Sequence, residues 1–378
     1  MSRTVDLDPL GEVGKLTATV RDRAPEVEAA RRLPPDLAAA FAEAGLFGLC
    51  VPQSLGGLEA EAGVLFRVIE DMSAADGSAG WCLMIGATTG VLAPLLPEAG
   101  AKEIYGTDPD VVTGGVLAPR GTARAVDGGY RVSGRWPFAS GSQHCAWLTG
   151  GCIDEDGDFR MAFFPAADVE IIDTWNVSGL RGTGSHDMAV EDVFVPSDRS
   201  VALLTATPSE SGPLYRFPIF GILGLSVAAV SLGIARAAIE ELTRLATKKT
   251  PTMSAQRLAD RGATQADVGR ATAALLAARA FFFDETASAW ERATTGDDFD
   301  LEQRARLRLA AVHAARTAAD VVDTMYDLGG GTSIYSSSPL QRQFRDVHAV
   351  TQHIVVAPAT YELGGKVLLG VEADTFML

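Results

Sequence analysis

The spacing of hydrophobic positions divides the chain into three stretches, and the first of them is helical. Leu37, Phe41 and Ala44 form an apolar stripe that Pro35 precedes and Gly45 follows. Proline in the first turn and glycine just past the last turn are common helix boundaries, so this stripe predicts a short helix. The same spacing predicts further helices over residues 61–75, 78–96 and 99–105.

Between about residue 110 and residue 200 apolar and polar positions alternate, which is typical of strands. Asp127-Gly128-Gly129 lies between two alternating runs and predicts a hairpin turn. Residues 154–158 separate two more strand-like runs, and residues 188–196 are expected to form the closing strand. Several short strands at this spacing predict a small β-barrel or sandwich.

After about residue 220 the spacing is helical again, over long segments that predict four antiparallel helices packed as a bundle. One apolar helix face is expected to consist of Leu276, Ala280, Phe283, Ala287 and Trp290. Helices, then strands, then a helical bundle make an α+β protein. The expected units are an N-terminal helical domain (1–109), a central β domain (110–212) and a C-terminal bundle (213–378).

Composition and charge narrow the possible functions. A chain of 378 residues that is 47% hydrophobic can bury a large core. Its net charge of −16 argues against a nucleic-acid partner, and the basic run from Arg304 to Arg308 is expected to be a solvated helix face. No apolar run approaches the ~18 residues of a membrane span, and the N-terminus lacks a signal-peptide core. We therefore expect a cytoplasmic protein with no membrane association.

Metal and nicotinamide chemistry find no support in the sequence. The cysteines, Cys50, Cys82, Cys145 and Cys152, form no CxxC pair and are expected to be free, buried thiols. The histidines are scattered and complete no zinc pattern, so no metal site is predicted. No G-x-G-x-x-G follows a strand, and the order of elements is not the alternation of a Rossmann fold.

Three collinear segments resemble signatures of the acyl-CoA dehydrogenase superfamily. They are AGLFGLCVPQSLGG (residues 44–57), WNVSGLRGTGSHDMAVEDVFVP (residues 175–196) and LGGGTSIYSSSPLQRQFRDVHA (residues 328–349). The resemblance covers nearly the whole chain and implies that superfamily's fold of helical domain, β domain and four-helix bundle.

The acid that dehydrogenases of this superfamily use is missing from both of its usual positions. It takes the α-proton of the acyl-CoA and commonly lies in a Tyr-Glu-Gly loop shortly after an Arg-Asp pair. That register here holds His353, and the second known location falls at Thr247 and Lys248. Glu362, in Tyr361-Glu362-Leu363-Gly364, lies about two helical turns too late and is expected to mimic the motif without its function.

Two other motifs resemble the flavin-dependent monooxygenase branch of the superfamily. They are W-x-F-x-S-G at residues 136–141 and PLQR-x-FRD-x-HA at residues 339–349. The resemblance implies reduced FAD or FMN, supplied by a separate NAD(P)H:flavin reductase, with no preference between the two flavins. It also implies a C4a-hydroperoxyflavin that forms with O₂ and hydroxylates an aromatic or heteroaromatic small molecule.

The same resemblance implies roles for individual residues. The Ser140 hydroxyl is expected to face flavin N5 and to slow the loss of its proton; it would otherwise simply end a strand. His353 is expected beside the reacting atoms, as a proton acceptor or a hydrogen-bond donor. Trp136 and Phe138, two residues apart, are expected to share one strand face and contact the flavin, unless they are plain core residues.

Further contacts are expected around these residues. Expected cofactor-binding residues also include Thr183, Ser185, Gly330, Gly331 and Gln265. Trp81 and His144 are expected to line the substrate pocket, although a core tryptophan and a loop histidine would explain them too. Arg345 and Asp346 are expected to form a buried ion pair that positions their helix.

Two other functions stay open on the sequence alone. One is an atypical acyl-CoA dehydrogenase or oxidase with a relocated base, for which Glu362 is the candidate. The other is a non-catalytic partner protein that kept the fold for assembly. In either case a bundle rich in small apolar residues predicts a homo-oligomer, and a homotetramer is expected.

Overall fold

The computed structural model describes residues 7–378 and opens with a group of helices. The predicted helix after Pro34 is confirmed as α2, and Gly45 follows it with a left-handed φ of 76°. Asp8 caps the first helix by accepting a hydrogen bond from the Leu10 N–H at 3.2 Å. The five helices are α1 (Pro9–Ala30), α2 (Pro35–Glu43), α3 (Ala62–Ala75), α4 (Gly77–Thr89) and α5 (Glu98–Tyr105).

Helix α4 is buried on nearly every side, which agrees with its almost uniformly small and apolar sequence. The segments Gly77–Leu95 and Ile219–Ala246 are long and apolar enough to cross a membrane. In each, 83% of the most apolar stretch is buried inside the protein. These segments therefore act as the central helices of the protein's own core.

The central strands form one mixed sheet of seven strands. They are β1 (Thr113–Val126), β2 (Gly129–Ala139), β3 (Trp147–Asp154), β4 (Phe159–Pro165), β5 (Glu170–Ile172), β6 (His186–Pro196) and β7 (Ser200–Ala202), in the spatial order β5-β6-β2-β1-β3-β4-β7. The predicted hairpin at Asp127-Gly128 is confirmed, with Val126 paired to Gly129. All pairs are antiparallel except β1 with β3. Strand β6 is the strand predicted to close the sheet, but it is not the last one. The short strand β7, which the sequence pattern did not predict, follows it and lies at one edge of the sheet.

The sheet curls around its own small core. The Trp136 ring of β2 lies 6.0 Å, centroid to centroid, from the Phe164 ring of β4, although these strands are three places apart in the sheet. Trp136 is fully buried and donates its indole N–H to the Gly151 carbonyl at 2.7 Å. A Cβ at Gly150 would lie 2.7 Å from the Trp136 ring, so only glycine leaves room for the indole there.

The C-terminal helices pack as a bundle around α7 and α9. Their bounds are α6 (Pro213–Arg216), α7 (Ile219–Ala246), α8 (Gly262–Thr295), α9 (Leu301–Gly329), α10 (Pro339–Val350) and α11 (Ala359–Leu368). The prediction of four long helices is wrong in one respect, because α10 has only 12 residues. Helix α9 ends at Gly329, and residues 330–338 form a non-α-helical connection. Helix α10 therefore begins only at Pro339 and is short.

The predicted apolar face of α8 is wrong at three of its five positions, since only Phe283 and Trp290 pack against the core. Leu276 is 59% exposed, and Ala280 and Ala287 are exposed as well. The buried face is offset along the chain and consists of Ala271, Leu275, Ala278, Phe282, Thr286, Ala289 and Ala293. Both faces are apolar, so periodicity identified an amphipathic pattern without deciding which apolar face packs inward.

The basic run on α9 is likewise only partly a solvated face. Arg304 and Arg306 are exposed, but Arg308 is 2% exposed. Its guanidinium donates from Nη1 to the Phe220 carbonyl at 2.9 Å and from Nη2 to the Val355 carbonyl at 3.0 Å. The expectation of solvation therefore fails at Arg308, because helix geometry turns that position toward α7 and the segment after α10.

A loop before β6 packs against α10. Gly179 lies so close to α10 that a Cβ there would be 2.0 Å from the Arg345 carbonyl oxygen. The next residue, Leu180, has a left-handed φ of 51° and donates its N–H to the Asp346 carboxylate at 2.6 Å. The loop therefore docks onto α10 through backbone contacts and one buried carboxylate.

The predicted ion pair between Arg345 and Asp346 is wrong. Arg345 binds Glu28 of α1 at 2.6 Å and also donates to the Ser178 carbonyl, while Asp346 accepts from Leu180. Adjacent residues on a helix point about 100° apart, so the two side chains reach different partners. Both nevertheless position α10, as the prediction required.

Candidate active site

Strand β2 ends in a turn that brings Ser140 against the loop before β6. Phe138 has a left-handed φ of 68°, and the sheet register shifts between Trp136 and Ala139. Gly141 follows with φ 72° and donates its N–H to the Thr183 carbonyl at 2.9 Å. The bulge and the turn together aim Ser140 at the 183–185 loop.

Ser140, Ser185 and Thr183 form a buried chain of hydroxyl groups, which also receives the indole of Trp81. The Trp81 Nε1–H donates to Ser140 Oγ at 2.9 Å. Ser140 Oγ and Ser185 Oγ are 2.7 Å apart, and Ser185 Oγ and Thr183 Oγ1 are 2.6 Å apart. The Thr183 hydroxyl donates to the Leu180 carbonyl at 2.8 Å.

The donors in this chain can be ordered from its carbonyl end. A carbonyl only accepts, so the Thr183 proton points to Leu180 and Ser185 must donate to Thr183. Ser140 must then donate to Ser185, and its own oxygen accepts from Trp81. Ser140 therefore keeps one acceptor lone pair, which a bound molecule can use.

His353 lies on the other side of Trp81, just after α10. The two rings are 5.6 Å apart, centroid to centroid, in an edge-to-face arrangement. His353 Nδ1 accepts a hydrogen bond from the Val355 N–H at 3.4 Å. Burial, together with the nearby charge of Arg308, lowers the pKa of His353 to about 4. The imidazole is therefore neutral near pH 7 and carries its proton on Nε2.

His144 lies in the short turn after Ser140. Its ring packs over Gly141, where a Cβ would lie 3.0 Å from the imidazole. Burial lowers the pKa of His144 to about 4, and its buried Nδ1 has no hydrogen-bond partner within residues 7–378. The turn after Ser140 therefore holds a neutral imidazole with a buried nitrogen that is unpaired among the described residues.

The two aromatic residues of β2 do not share a face, so that prediction is wrong. Trp136 is enclosed in the core of the sheet, whereas Phe138 is 64% exposed and contacts Trp175 edge to face at 6.2 Å. The left-handed φ of Phe138 and the register shift beside it break the alternation of strand faces. Phe138 is therefore the one of the two with a surface open to a ligand.

The remaining predicted cofactor residues lie in other parts of the fold. Gly330 and Gly331 are exposed in the turn after α9, which the Lys249 ammonium holds by donating to the Gly329 carbonyl and to Thr332. Gln265 is exposed near the start of α8 and donates to the Ala259 carbonyl at 3.0 Å. These contacts are local, and the monomer does not join these residues to the Ser140 chain.

Sequence reasoning missed Arg308 and Asp76. Arg308 reaches the segment of His353, and Asp76 caps α4, the helix of Trp81, by accepting from the Ala79 N–H at 2.9 Å. The sequence did contain a signal for this N-terminal cap, because Asp76 directly precedes Gly77-Ser78 and the apolar run of α4. Arg308 had none, because the run Arg304 to Arg308 has the composition of a solvated face.

These residues fit a reduced flavin. A buried oxygen with a free acceptor lone pair suits the N5–H of a reduced isoalloxazine, and an exposed aromatic such as Phe138 suits its ring. The small residues of the 182–184 turn allow close approach of the backbone.

Comparisons with known proteins agree with this geometry. The family described as acyl-CoA dehydrogenase, N-terminal domain, matches residues 15–105, and acyl-CoA dehydrogenase, C-terminal domain, matches residues 225–358. The chain is 39% identical to an indole-3-acetate monooxygenase of Pseudomonas putida, over 93% of this chain and 91% of that protein. The chain belongs to the acyl-CoA dehydrogenase superfamily.

Within this superfamily the chain is a flavin-dependent monooxygenase. It is 32% identical to the oxygenase subunit HsaA of Rhodococcus jostii, over 91% of this chain and 93% of the subunit. The structure of a 3-HSA hydroxylase from Rhodococcus sp. RHA1 superposes with a TM-score of 0.92 at 31% identity, covering 99% of this chain and 100% of the hydroxylase. XiaF from Streptomyces sp., solved in complex with FADH2 and glycerol, has a TM-score of 0.91 at 27% identity, covering 96% and 95%.

The candidate for a relocated dehydrogenase base, Glu362, lies on the surface of this monooxygenase. Glu362 of α11 is exposed and forms an ion pair with Lys366, one helical turn later, at 2.7 Å. The placement of Glu362 removes the feature on which the relocated-base alternative depended.

Proposed function

We propose that this protein is the oxygenase component of a two-component system that hydroxylates an electron-rich aromatic or heteroaromatic small molecule. A separate NAD(P)H:flavin reductase would supply reduced FAD or FMN. The observation that carries the proposal is the ordered hydroxyl chain, because it leaves Ser140 with an acceptor and no free proton.

The order of donors favours the reduced flavin over the oxidised one. Reduced flavin has a hydrogen on N5, which the Ser140 oxygen can accept, whereas N5 of oxidised flavin is itself an acceptor and would face a second acceptor. A hydrogen bond of this kind is worth about 1 kcal/mol, so selectivity of about 5- to 10-fold is expected from Ser140 alone. Bound reduced flavin would supply the electrons that activate O₂.

His353 would act as a hydrogen-bond donor in this site. Its Nδ1 is occupied by the Val355 N–H, so the neutral ring holds its proton at Nε2. A ring whose pKa is lowered to about 4 is a weak base near pH 7, which favours donation over proton abstraction from a substrate.

The substrate is proposed to be an indole or a phenol. Relatives are named for indole-3-acetate and, at 29% identity, for resorcinol, which are both electron-rich rings. Trp81 and His144 would line the pocket of this substrate. Thr183 and Ser185 would act through Ser140, and Phe138 would contact the flavin ring.

Assembly as a homotetramer in the cytoplasm completes the proposal. The exposed apolar face of α8, with Leu276, Ala280 and Ala287, is the surface expected between subunits. The exposed turn with Gly330 and Gly331, and Gln265, would then contact the flavin of a neighbouring subunit.

One experiment tests the proposed reaction directly. The protein is supplied with FAD or FMN, NADH and a separate flavin reductase, under ¹⁸O₂, with indole-3-acetate, indole and simple phenols as substrates. Product carrying one ¹⁸O atom, formed only with the oxygenase present, is the expected result. Peroxide release without labelled product from any ring, or reduction of bound flavin by an acyl-CoA, would contradict the proposal.

A further inference from the structure

Two arginines of α9 hold the segment that carries His353. Arg308 Nη2 donates to the Val355 carbonyl at 3.0 Å, and Arg316 Nη2 donates to the Thr351 carbonyl at 2.9 Å and the Val356 carbonyl at 3.4 Å. Arg308 and Arg316 are eight residues apart, about two turns, so they project from the same side of the helix. We refer to these two residues as the arginine clamp.

His353 lies between the points that the clamp holds. Its own N–H donates to the Val350 carbonyl at 3.0 Å, and its carbonyl accepts from the Val356 N–H at 3.0 Å. Val355 is bonded through both of the peptide groups that flank it: its carbonyl, in the 355–356 peptide, accepts from Arg308, and its N–H, in the 354–355 peptide, donates to His353 Nδ1. The clamp bonds the backbone on both sides of the 354–355 peptide, at Thr351 and at Val355 and Val356, and so restrains the N–H that His353 Nδ1 accepts and with it the tautomer of the imidazole.

The burial of Arg308 is costly for a purely structural residue. The side chain is 2% exposed, and its bonds run to two backbone carbonyls. Its Nε is buried without a partner in the described part of the chain, and burial lowers the pKa of the guanidinium to about 10. A buried cation without a paired carboxylate is generally less stabilising than an apolar side chain of the same size.

The charge of Arg308 acts on His353 from a single direction. Residues 219–235 of α7 carry no titratable side chain, and α4 presents the uncharged Trp81. From α9, Arg308 is the charged group whose field acts on the imidazole, and it does so in the same sense as burial. Arg316 lies further along α9, where it acts on Tyr361 of α11.

We propose that Arg308 and Arg316 are positioning residues, which fix His353 as a neutral imidazole with Nδ1 as acceptor and Nε2–H as donor. The structural part of this inference concerns the free protein, and its consequence for hydroxylation rests on the proposed function. Loss of the clamp would free the 351–356 backbone, so that the Val355 N–H no longer bonds Nδ1 in every molecule and the imidazole proton is no longer confined to Nε2.

The test is ¹⁵N NMR of the histidine side chains in the full-length, flavin-free protein. Comparison with His353→Asn identifies the His353 signals. In the wild type we expect an unprotonated Nδ1 and a protonated Nε2 at pH 7, with a pKa near 4. In Arg308→Met we expect mixed tautomers and a higher pKa, because the imidazolium form no longer faces a buried cation.

Matched variants separate the roles of the two arginines, and they separate the effect of the Arg308 charge on the pKa from the effect of its hydrogen bonds on the tautomer. Arg308→Lys keeps the charge but lacks the planar fork, so we expect the pKa to stay low while the tautomer becomes mixed. Arg316→Met retains the Arg308 charge and should also disturb the tautomer, and it keeps the proposal testable if Arg308→Met does not fold. Arg304→Met, on the exposed side of the same helix, is the control and should leave both signals unchanged.

Turnover provides the second measurement. In the coupled assay the product formed per reduced flavin oxidised should fall about 3- to 10-fold in Arg308→Met, with partial recovery in Arg308→Lys. Folded clamp variants with an unchanged tautomer and pKa of His353 would overturn the inference. A disturbed tautomer in a protein whose wild type hydroxylates no aromatic ring would instead leave the clamp standing and contradict the proposed function.

Discussion

Ser140 has one proton and two lone pairs, and its neighbours use the proton and one of the lone pairs. The proton goes to Ser185, because Ser185 must itself donate toward Thr183 and Leu180. Trp81, which can only donate, occupies the first lone pair. The chemical character of the site at Ser140 is therefore set by residues that lie beyond it.

Ser185→Ala should weaken the preference for reduced flavin. Without the Ser185 oxygen, the Ser140 hydroxyl has no acceptor on that side and can turn to donate to N5 of oxidised flavin. We expect the ratio of the dissociation constants for oxidised and reduced flavin to fall about 5- to 10-fold, measured by anaerobic titration of each form. The control is Ser142→Ala, which removes a buried hydroxyl that has no partner in residues 7–378. An unchanged ratio in Ser185→Ala would contradict the donor order.

His144 should make the protein sensitive to acid. Burial lowers its pKa to about 4, whereas an unfolded histidine has a pKa of about 6.5. Between these values the unfolded chain binds a proton that the folded chain does not, so stability is lost as the pH falls from about 6.5 toward 4. His144→Phe removes this contribution.

Thermal unfolding measured from pH 7 to pH 5 checks this expectation. The loss of Tm on acidification should be smaller in His144→Phe than in the wild type. His313, which is exposed on α9, provides the control in His313→Phe. Parallel pH profiles of the wild type and His144→Phe would refute the assignment of a buried neutral imidazole.

At the scale of elements, α10 is the part that brings the site together. It follows the exposed turn after α9, docks on the 179–184 loop through Asp346, and ends just before His353. Asp346 is buried close to Asp76, the N-terminal cap of α4. Burial raises the pKa of Asp346 to about 7, and the nearby charge of Asp76 contributes to the same shift.

The raised pKa of Asp346 predicts a stability effect of the opposite sign to that of His144. An unfolded aspartate ionises near pH 3.9, so between about pH 4 and pH 7 the folded chain binds the extra proton. Asp346 therefore contributes stability at the acidic end of this window, and that contribution is lost as the pH rises through it. Asp346→Asn cannot titrate and keeps an oxygen for the Leu180 N–H.

The measurement is chemical unfolding of both proteins at pH 5 and pH 7. The variant should gain stability relative to the wild type as the pH rises between these values. Asp158→Asn, an exposed position in the β3–β4 turn, serves as the control. A difference between Asp346→Asn and the wild type that does not depend on pH would show that Asp346 is already ionised.

At the scale of the whole molecule, the exposed apolar face of α8 predicts an assembly. Leu276→Glu places a charge in this face and should shift the protein toward smaller species, since a buried unpaired charge is strongly unfavourable at an interface. Light scattering coupled to gel filtration measures the mass directly. Thr122→Glu, an exposed position of β1, adds the same charge outside the bundle and should not change the mass. A monomeric wild type would contradict the proposed tetramer.

Much of the fold was predictable because its signals are local. The change of period from helix to strand and back gave the order of the elements, and Gly45 and Gly128 marked turns that require a left-handed backbone. The motif around Ser140 indicated the monooxygenase branch of the superfamily and one end of the proposed site. Each of these depends on residues within a few positions of one another.

Other features depended on contacts between distant parts of the chain, and only the tertiary structure decided them. Periodicity found an apolar face on α8 but not the face that is buried, because two apolar faces compete and packing selects between them. Arg308 has the sequence of a solvated residue and becomes a buried donor, since its partners Phe220 and Val355 are 88 and 47 residues away.

The site itself divides in the same way. The sequence alone singled out Ser140, through the W-x-F-x-S-G motif, and His353, through the register in which dehydrogenases of the superfamily carry their base. The tertiary structure decided what they can do: Trp81 lies between them, a chain of hydroxyls orients the Ser140 proton, and a backbone peptide orients the His353 proton. Hydrogen-bond direction is a property of the assembled network, so no single segment of the sequence contains it.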